Sequence, residues 1–222
     1  MSAHLLRDLE SLKKYILRMG FLVEEATNKA ILALVDRRPE LAQEVIQGDG
    51  EIDRKEREID EECLKTLALH QPVAADLRFI IAIMKVNNEL EQMGDKAVSI
   101  AKDAIGLTES EPLRAKLDFP RMCQLVRSAV RRTIDALIHM DVNLARQVLE
   151  EDAQIDEARD SMTEILRETM QADSSSVGRA MAMLACVRRL ERIADMASNI
   201  CVDLIFTVEG ANTKRAEYDP GE

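Results

Sequence analysis

The stretch ALVDRRPELAQEVIQGDGEID, Ala33 to Asp53, returns later in the chain as ALIHMDVNLARQVLEEDAQID, Ala136 to Asp156, without a gap and with eight identities in twenty-one positions. Shared Leu and Ala are expected of any two helices, so the shared acids carry the comparison: Asp49 with Asp152, and Asp53 with Asp156. Further on, LEQMGDKAVSI (Leu90 to Ile100) aligns with LERIADMASNI (Leu190 to Ile200), pairing Glu91 with Glu191 and Asp95 with Asp195. One unit of about a hundred residues has been duplicated.

Each unit reads as helix throughout. Apolar residues recur at steps of three and four, aromatics make up 3% of the 222 residues, there is no Trp, and Gly and Pro number eight and five. Breaks fall where helices start and stop: Pro39 suits a first helical position, Gln71-Pro72 ends a helix, Asp141 can cap one, and Ala172 to Ser176 forms a turn. Thr108 to Pro112 with Phe119-Pro120 marks a connection between the units. The spacing predicts helices over 4–36, 39–69, 73–106, 119–140, 142–171 and 176–208. The expected fold is all-α, two tandem three-helix bundles related by internal duplication, with units at 1–110 and 111–208 and a polar tail at 209–222.

A formal net charge of −11 argues against a broadly cationic surface for nucleic acid or anionic lipid, although Arg188 and Arg189 make a local basic pair. Cys63, Cys123, Cys186 and Cys201 stand far apart, which suits buried, reduced thiols rather than a zinc ribbon or a disulfide framework. MSAHLLRDLESLKK lacks an apolar signal-peptide core, and no stretch approaches the roughly 18 apolar residues that span a bilayer. A cytoplasmic location is expected.

On the third helix of the second unit, Leu190, Ile193, Ala194, Ala197, Ile200, Cys201 and Leu204 fill one apolar arc, while Glu191 and Asp195 fall at its border. The first unit repeats this, with Leu90, Met93, Ala97, Ile100 and Ala101 as core. On the second helix, Asp49, Asp53, Glu56 and Asp60 run at i, i+4, i+7 and i+11 beside Ile52, Ile59 and Leu64; the second unit keeps Asp152 and Asp156 but has Arg159 and Thr163 in the last two places. Like charges one turn apart cost about 0.2 to 0.5 kcal/mol on an exposed helix. Arginine or lysine from a neighbouring helix would relieve them, and so would a metal cation reached by carboxylates from two helices. Oxygen donors favour hard ions such as Mg, Ca or Mn and tolerate iron. His4, His70 and His139 are scattered, no Glu-x-x-His is present, and Gly-x-Ser-x-Gly, phosphate-loop and His-Glu-x-x-His patterns are missing. A carboxylate-bridged metalloenzyme and a metal-free helical scaffold remain as alternatives to a binding protein.

With DGEID and LEQMGD in one unit, DAQID and LERIAD in the other, and QPVAADLR (Gln71 to Arg78) between, the chain resembles the PhoU family of phosphate-specific transport accessory proteins over nearly its whole length. That resemblance implies a non-catalytic, dimeric or larger protein that acts as a negative regulator of the phosphate-starvation response. Its implied partners are the phosphate ABC transporter and the cytoplasmic domains of a sensor histidine kinase. It also implies iron, zinc, magnesium or manganese held by Asp49, Asp53, Glu91 and Asp95 in one site and by Asp152, Asp156, Glu191 and Asp195 in the other, with Asn199 as a supporting residue.

Overall fold

The structure, a computed structural model, describes residues 3–209. Six long helices run in the order α1 (Ala3–Val35), α2 (Pro39–His70), α3 (Ala74–Thr108), α4 (Phe119–His139), α5 (Val142–Ala172) and α6 (Val177–Glu209), with one turn of tighter helix at Ser174–Ser176. Each boundary lies within two residues of the position predicted from sequence. Pro39 opens α2, where its missing N–H costs nothing, and Gln71 ends it in the left-handed conformation just before Pro72. Asp118 and Asp141 cap α4 and α5, the latter accepting from the backbone N–H of both Asn143 and Leu144. Of the polar tail expected at 209–222, Glu209 belongs to α6, where its carboxylate takes both a 2.8 Å and a 2.9 Å bond from Arg146; the rest lies outside the described residues.

Within each unit the three helices pack on one another, but the units also pack together, α3 on α6 and α1 on α4, and one apolar core runs through both. The third helices are the spine. α3 and α6 each bury thirteen residues, against six each for α2 and α5, so the former are covered on more than one face and the latter on a narrow stripe. Lys85 meets Asp203 at 3.2 Å, Glu89 meets Asn199 at 3.2 Å, and Asp103 meets Arg189. Partners descend along α6 as α3 ascends, so the two helices are antiparallel. Asp103 and Asp203 hold equivalent places in the duplication, and each takes a cation from the other unit's third helix. Arg189 is thus committed to the inter-unit contact rather than to a basic surface patch.

The connection at 109–118 is held against the bundles. Arg37 donates to the Thr108 carbonyl at 2.8 Å, Arg179 to the Glu111 carbonyl at 2.9 Å, and Leu113 and Leu117 pack on the core. All four cysteines are free and buried, and burial pushes the thiols of Cys63, Cys123 and Cys186 up to about 12 and that of Cys201 to about 11. Leu64, placed with Ile52 and Ile59 beside the acids, is 58% exposed, because the buried stripe of α2 passes through Ile59, Cys63 and Thr66.

Close packing between α1 and α4 depends on Gly20, where a Cβ would come within 2.7 Å of the buried Ile134 Cδ1, whereas Gly50 in α2 faces open space. Chemical denaturation should show opposite effects: Gly20→Leu loses about 1 to 3 kcal/mol through overpacking, and Gly50→Ala gains about 0.5 to 1 kcal/mol by helix propensity.

Candidate metal centre

Asp49 and Asp53 project from α2, and Glu91 and Asp95 from α3, each pair one turn apart. The helices are brought close beside them by Gly94, since a Cβ there would meet Ile52 Cδ1 at 3.1 Å and Cγ2 at 3.3 Å. Ile52 precedes Asp53 and Gly94 precedes Asp95, so this contact of a glycine with an isoleucine aligns the two acidic pairs. Asp49, Asp53 and Glu91 are half-buried and Asp95 is exposed. Their charges are felt mutually. Burial first, then Asp53 and Asp95, raise the Asp49 pKa; burial first, then Asp95, Glu56, Asp53 and Asp49, raise that of Glu91. Among the described residues, none donates a hydrogen bond to these four carboxylates or forms an ion pair with them. Lys102 is the one cation that eases Asp49 from a distance.

In the second unit the equivalent acids have partners. Arg159 reaches from α5 to Asp156 at 2.8 Å and to Glu191 at 2.7 Å, and also holds Asp160 at 3.0 Å. Ser198 donates to Asp152 at 3.1 Å, and Arg192 pairs with Asp195 at 3.1 Å. Burial still raises the pKa of Asp152 and of Asp195, but Ser198 and Arg192 respectively pull back. The alternative of arginine relief therefore describes the second unit, while the first unit lacks it.

The donor chemistry of the first unit fits a hard cation: carboxylates only, from two helices, with no histidine among them. Among the described residues, no three acids, histidines or cysteines stand near enough to hold one ion together. A further donor lies at hand. Asn87, fully buried and one turn before Glu91, donates at 2.9 Å to the Glu56 carbonyl and at 2.9 Å to Asp60, leaving its own Oδ1 buried with no partner. Its spacing to Glu91 and Asp95, i, i+4 and i+8, is the sequence signal that would have found it. Asn199, expected as a supporting residue, donates to Glu89 of the other unit, and the neighbouring Ser198 donates to Asp152. The histidines stand away from the acids: His70 pairs with Asp8, and His139 contacts the Asp135 carbonyl.

The PhoU domain profile matches residues 16–104 and again 119–204, one match on each three-helix unit. The chain belongs to the PhoU family. It is 38% identical over 210 residues to the "phosphate-specific transport system accessory protein PhoU homolog" of Aquifex aeolicus (strain VF5), covering 95% of each chain. The homolog of that name from Pseudomonas putida is 38% identical over 208 residues, covering 93% of this chain and 81% of the relative. Among solved structures, PhoU from Pseudomonas aeruginosa superposes with a TM-score of 0.89 at 37% identity, over 92% of this chain and 99% of that one. The phosphate transport system regulatory protein PhoU from Streptococcus pneumoniae superposes with a TM-score of 0.87 at 30% identity, over 94% and 99%.

Raised carboxyl pKa values have a stability consequence whose sign is fixed. Asp49 and Glu91 take up protons more readily folded than unfolded, so their repulsion destabilises the metal-free fold above their raised pKa values and fades as pH falls toward the ordinary range near about 4. In chelator-treated protein at pH 7, Asp49→Asn or Glu91→Gln should raise the unfolding free energy by about 0.5 kcal/mol. That gain should shrink on acidification toward about pH 4, as thermal melts across pH would record.

Proposed function

We propose that the chain is a non-catalytic regulator of phosphate uptake that works by binding: a metal-loaded helical platform that restrains the phosphate ABC importer and the phosphate-starvation response. One observation carries the reading: an oxygen-donor strip between α2 and α3 whose four carboxylates have no hydrogen-bond donor or ion-pair partner among the described residues, on a chain whose relatives are named phosphate-specific transport system accessory proteins. The partners are the importer and the cytoplasmic domains of a sensor histidine kinase. The working form is a cytoplasmic dimer or larger oligomer, and no helix among the described residues is long and apolar enough to cross a membrane.

A divalent or trivalent cation, of iron, zinc, magnesium or manganese, supplies positive charge to the strip. The chain's part is to hold Asp49 and Asp53 on one helix against Glu91 and Asp95 on the next, with Gly94 setting their separation. Partners then meet a neutral, stiffened face instead of a repelling one. The oxygen-only donor set and the lack of Glu-x-x-His weigh against a redox metalloenzyme.

Metal analysis of purified protein should show bound metal in the wild type and a marked loss, about tenfold or more in affinity, after Asp53→Asn with Asp95→Asn. In cells with ample phosphate, removing the chain should switch on a starvation-responsive promoter, and the metal-deficient variant should fail to silence it. Unchanged metal content would sink the ligand assignment, and a promoter that stays silent without the chain would sink the regulatory role.

A further inference from the structure

In the connection between the units, Leu113, Ala115 and Leu117 are half-buried while Arg114 and Lys116 are exposed. That period of two is the period of extended chain, and it turns Arg114 away from the core that Leu113 and Leu117 pack on. Between this extended passage and the turn from α5 to α6 lies a cavity of about 550 Å³, lined by Leu113 and Arg114 on one side and by Thr169, Ala172, Ser175 and Arg179 on the other. The volume falls in the range of roughly 300 to 1,000 Å³ that holds small-molecule ligands.

The two guanidinium groups of the lining have donors to spare. Arg179, half-buried in α6, gives one N–H to the Glu111 carbonyl at 2.9 Å; among the described residues Arg114 gives none, and neither arginine forms an ion pair. Two acids share the lining, and neither takes up these arginines. The Asp173 carboxylate is held by the Ser175 N–H at 2.9 Å and by the Ser175 hydroxyl at 2.7 Å, and Glu111 meets Arg179 through its carbonyl. The arginines nonetheless converge on one place: the bonds from Ser175 lower the Asp173 pKa first, and the charges of Arg179 and Arg114 lower it further. The first unit lacks the arrangement, since Phe79 stands at the counterpart of Arg179.

We propose that this cavity binds a phosphoryl group, bridged by Arg114 of the connection and Arg179 of α6. The planar fork of arginine matches the oxygens of a tetrahedral dianion, stays charged at any working pH, and makes bonds stronger than those between neutral groups. Because one arginine comes from the connection and the other from the second unit, the bound group fastens the connection to that unit. The space beyond the arginines, over Leu113 and Ala172, admits either free phosphate or the end of a small phosphate ester, and both are recognised by the same fork. The site stands apart from the metal-binding reading, since no acid of either strip lines the cavity.

The test uses the full chain, stripped with chelator so that no metal recruits the anion, and titrated in a calorimeter at constant ionic strength with inorganic phosphate, adenosine monophosphate and adenosine. Arg114→Ala, whose side chain has no bond to lose among the described residues, should weaken phosphate binding at least about tenfold without lowering the melting temperature. Arg179→Lys keeps the charge and a donor for the Glu111 carbonyl but loses the fork, and should weaken binding as well. Asp53→Asn with Asp95→Asn should bind phosphate as the wild type does. Monophosphate that binds more tightly than phosphate, with the same dependence on Arg114, makes the natural ligand an ester; phosphate that binds alone makes it the free ion. A wild type that takes up neither, an Arg114→Ala variant that binds phosphate unchanged, or adenosine that binds as well as its monophosphate overturns the site and leaves the metal-binding reading untouched. Phosphate uptake lost in the double Asn variant also overturns it, by placing the anion on the acidic strip.

Discussion

Everything else in the molecule is constrained by the antiparallel contact of α3 with α6. A helix packed on its own bundle and on a second one has little surface left, and what remains on α3 and α6 is a narrow shoulder. Charged side chains on these helices have few other places to go. Glu91 and Asp95, with Glu191 and Asp195, are held on that shoulder, and the narrow buried stripes of α2 and α5 bring Asp53 and Asp156 up to meet them. The acidic strips are thus a by-product of how the duplicate halves bury their third helices. The ion pairs flanking the contact, Lys85 with Asp203 and Arg189 with Asp103, contribute little energy at their exposure and act mainly to set register.

Given two equivalent strips, the halves resolve the same electrostatic problem in different ways. In the second, Arg159, Arg192 and Ser198 each satisfy a carboxylate from within the chain. In the first, their counterparts are Glu56, Gln92 and Val98, none of which carries a positive charge. The difference of two arginines against a glutamate and a glutamine separates a self-neutralising face from one whose four acids have no ion-pair partner among the described residues. Fold and core are indifferent to this choice, because the apolar arcs through Leu90 and Leu190 are equally buried.

The helices were legible because their ends are set by local chemistry: Pro39, Gln71-Pro72, Asp118 and Asp141 act within a turn of themselves. The duplication was legible because acids at shoulder positions are rarely shared by chance. Partners across helices were not, since Arg159 in sequence is only a departure from an acidic run, and nothing there shows that its fork closes on Glu191, thirty-two residues on. The bond from Asn199 to Glu89 was hidden for the same reason: helical phase puts Asn199 next to Asp195, and only the neighbouring bundle supplies Glu89 to its amide. Leu64 shows a finer point: the α2 stripe is too narrow to include it. The orphaned oxygen of Asn87 is a property of packing alone, visible once α2 supplies two acceptors and no donor.

The α3–α6 contact also has a consequence in time. Lys85, Glu89 and Asp103 find their partners between Arg189 and Asp203, so one flank of α3 stays bare until the last helix has left the ribosome. At translation rates of about 5 to 20 residues per second, those hundred or so intervening residues leave that apolar flank uncovered for on the order of 5 to 20 s. During each synthesis the nascent first half is a sticky, half-finished surface, waiting for a cover that emerges about a hundred residues later.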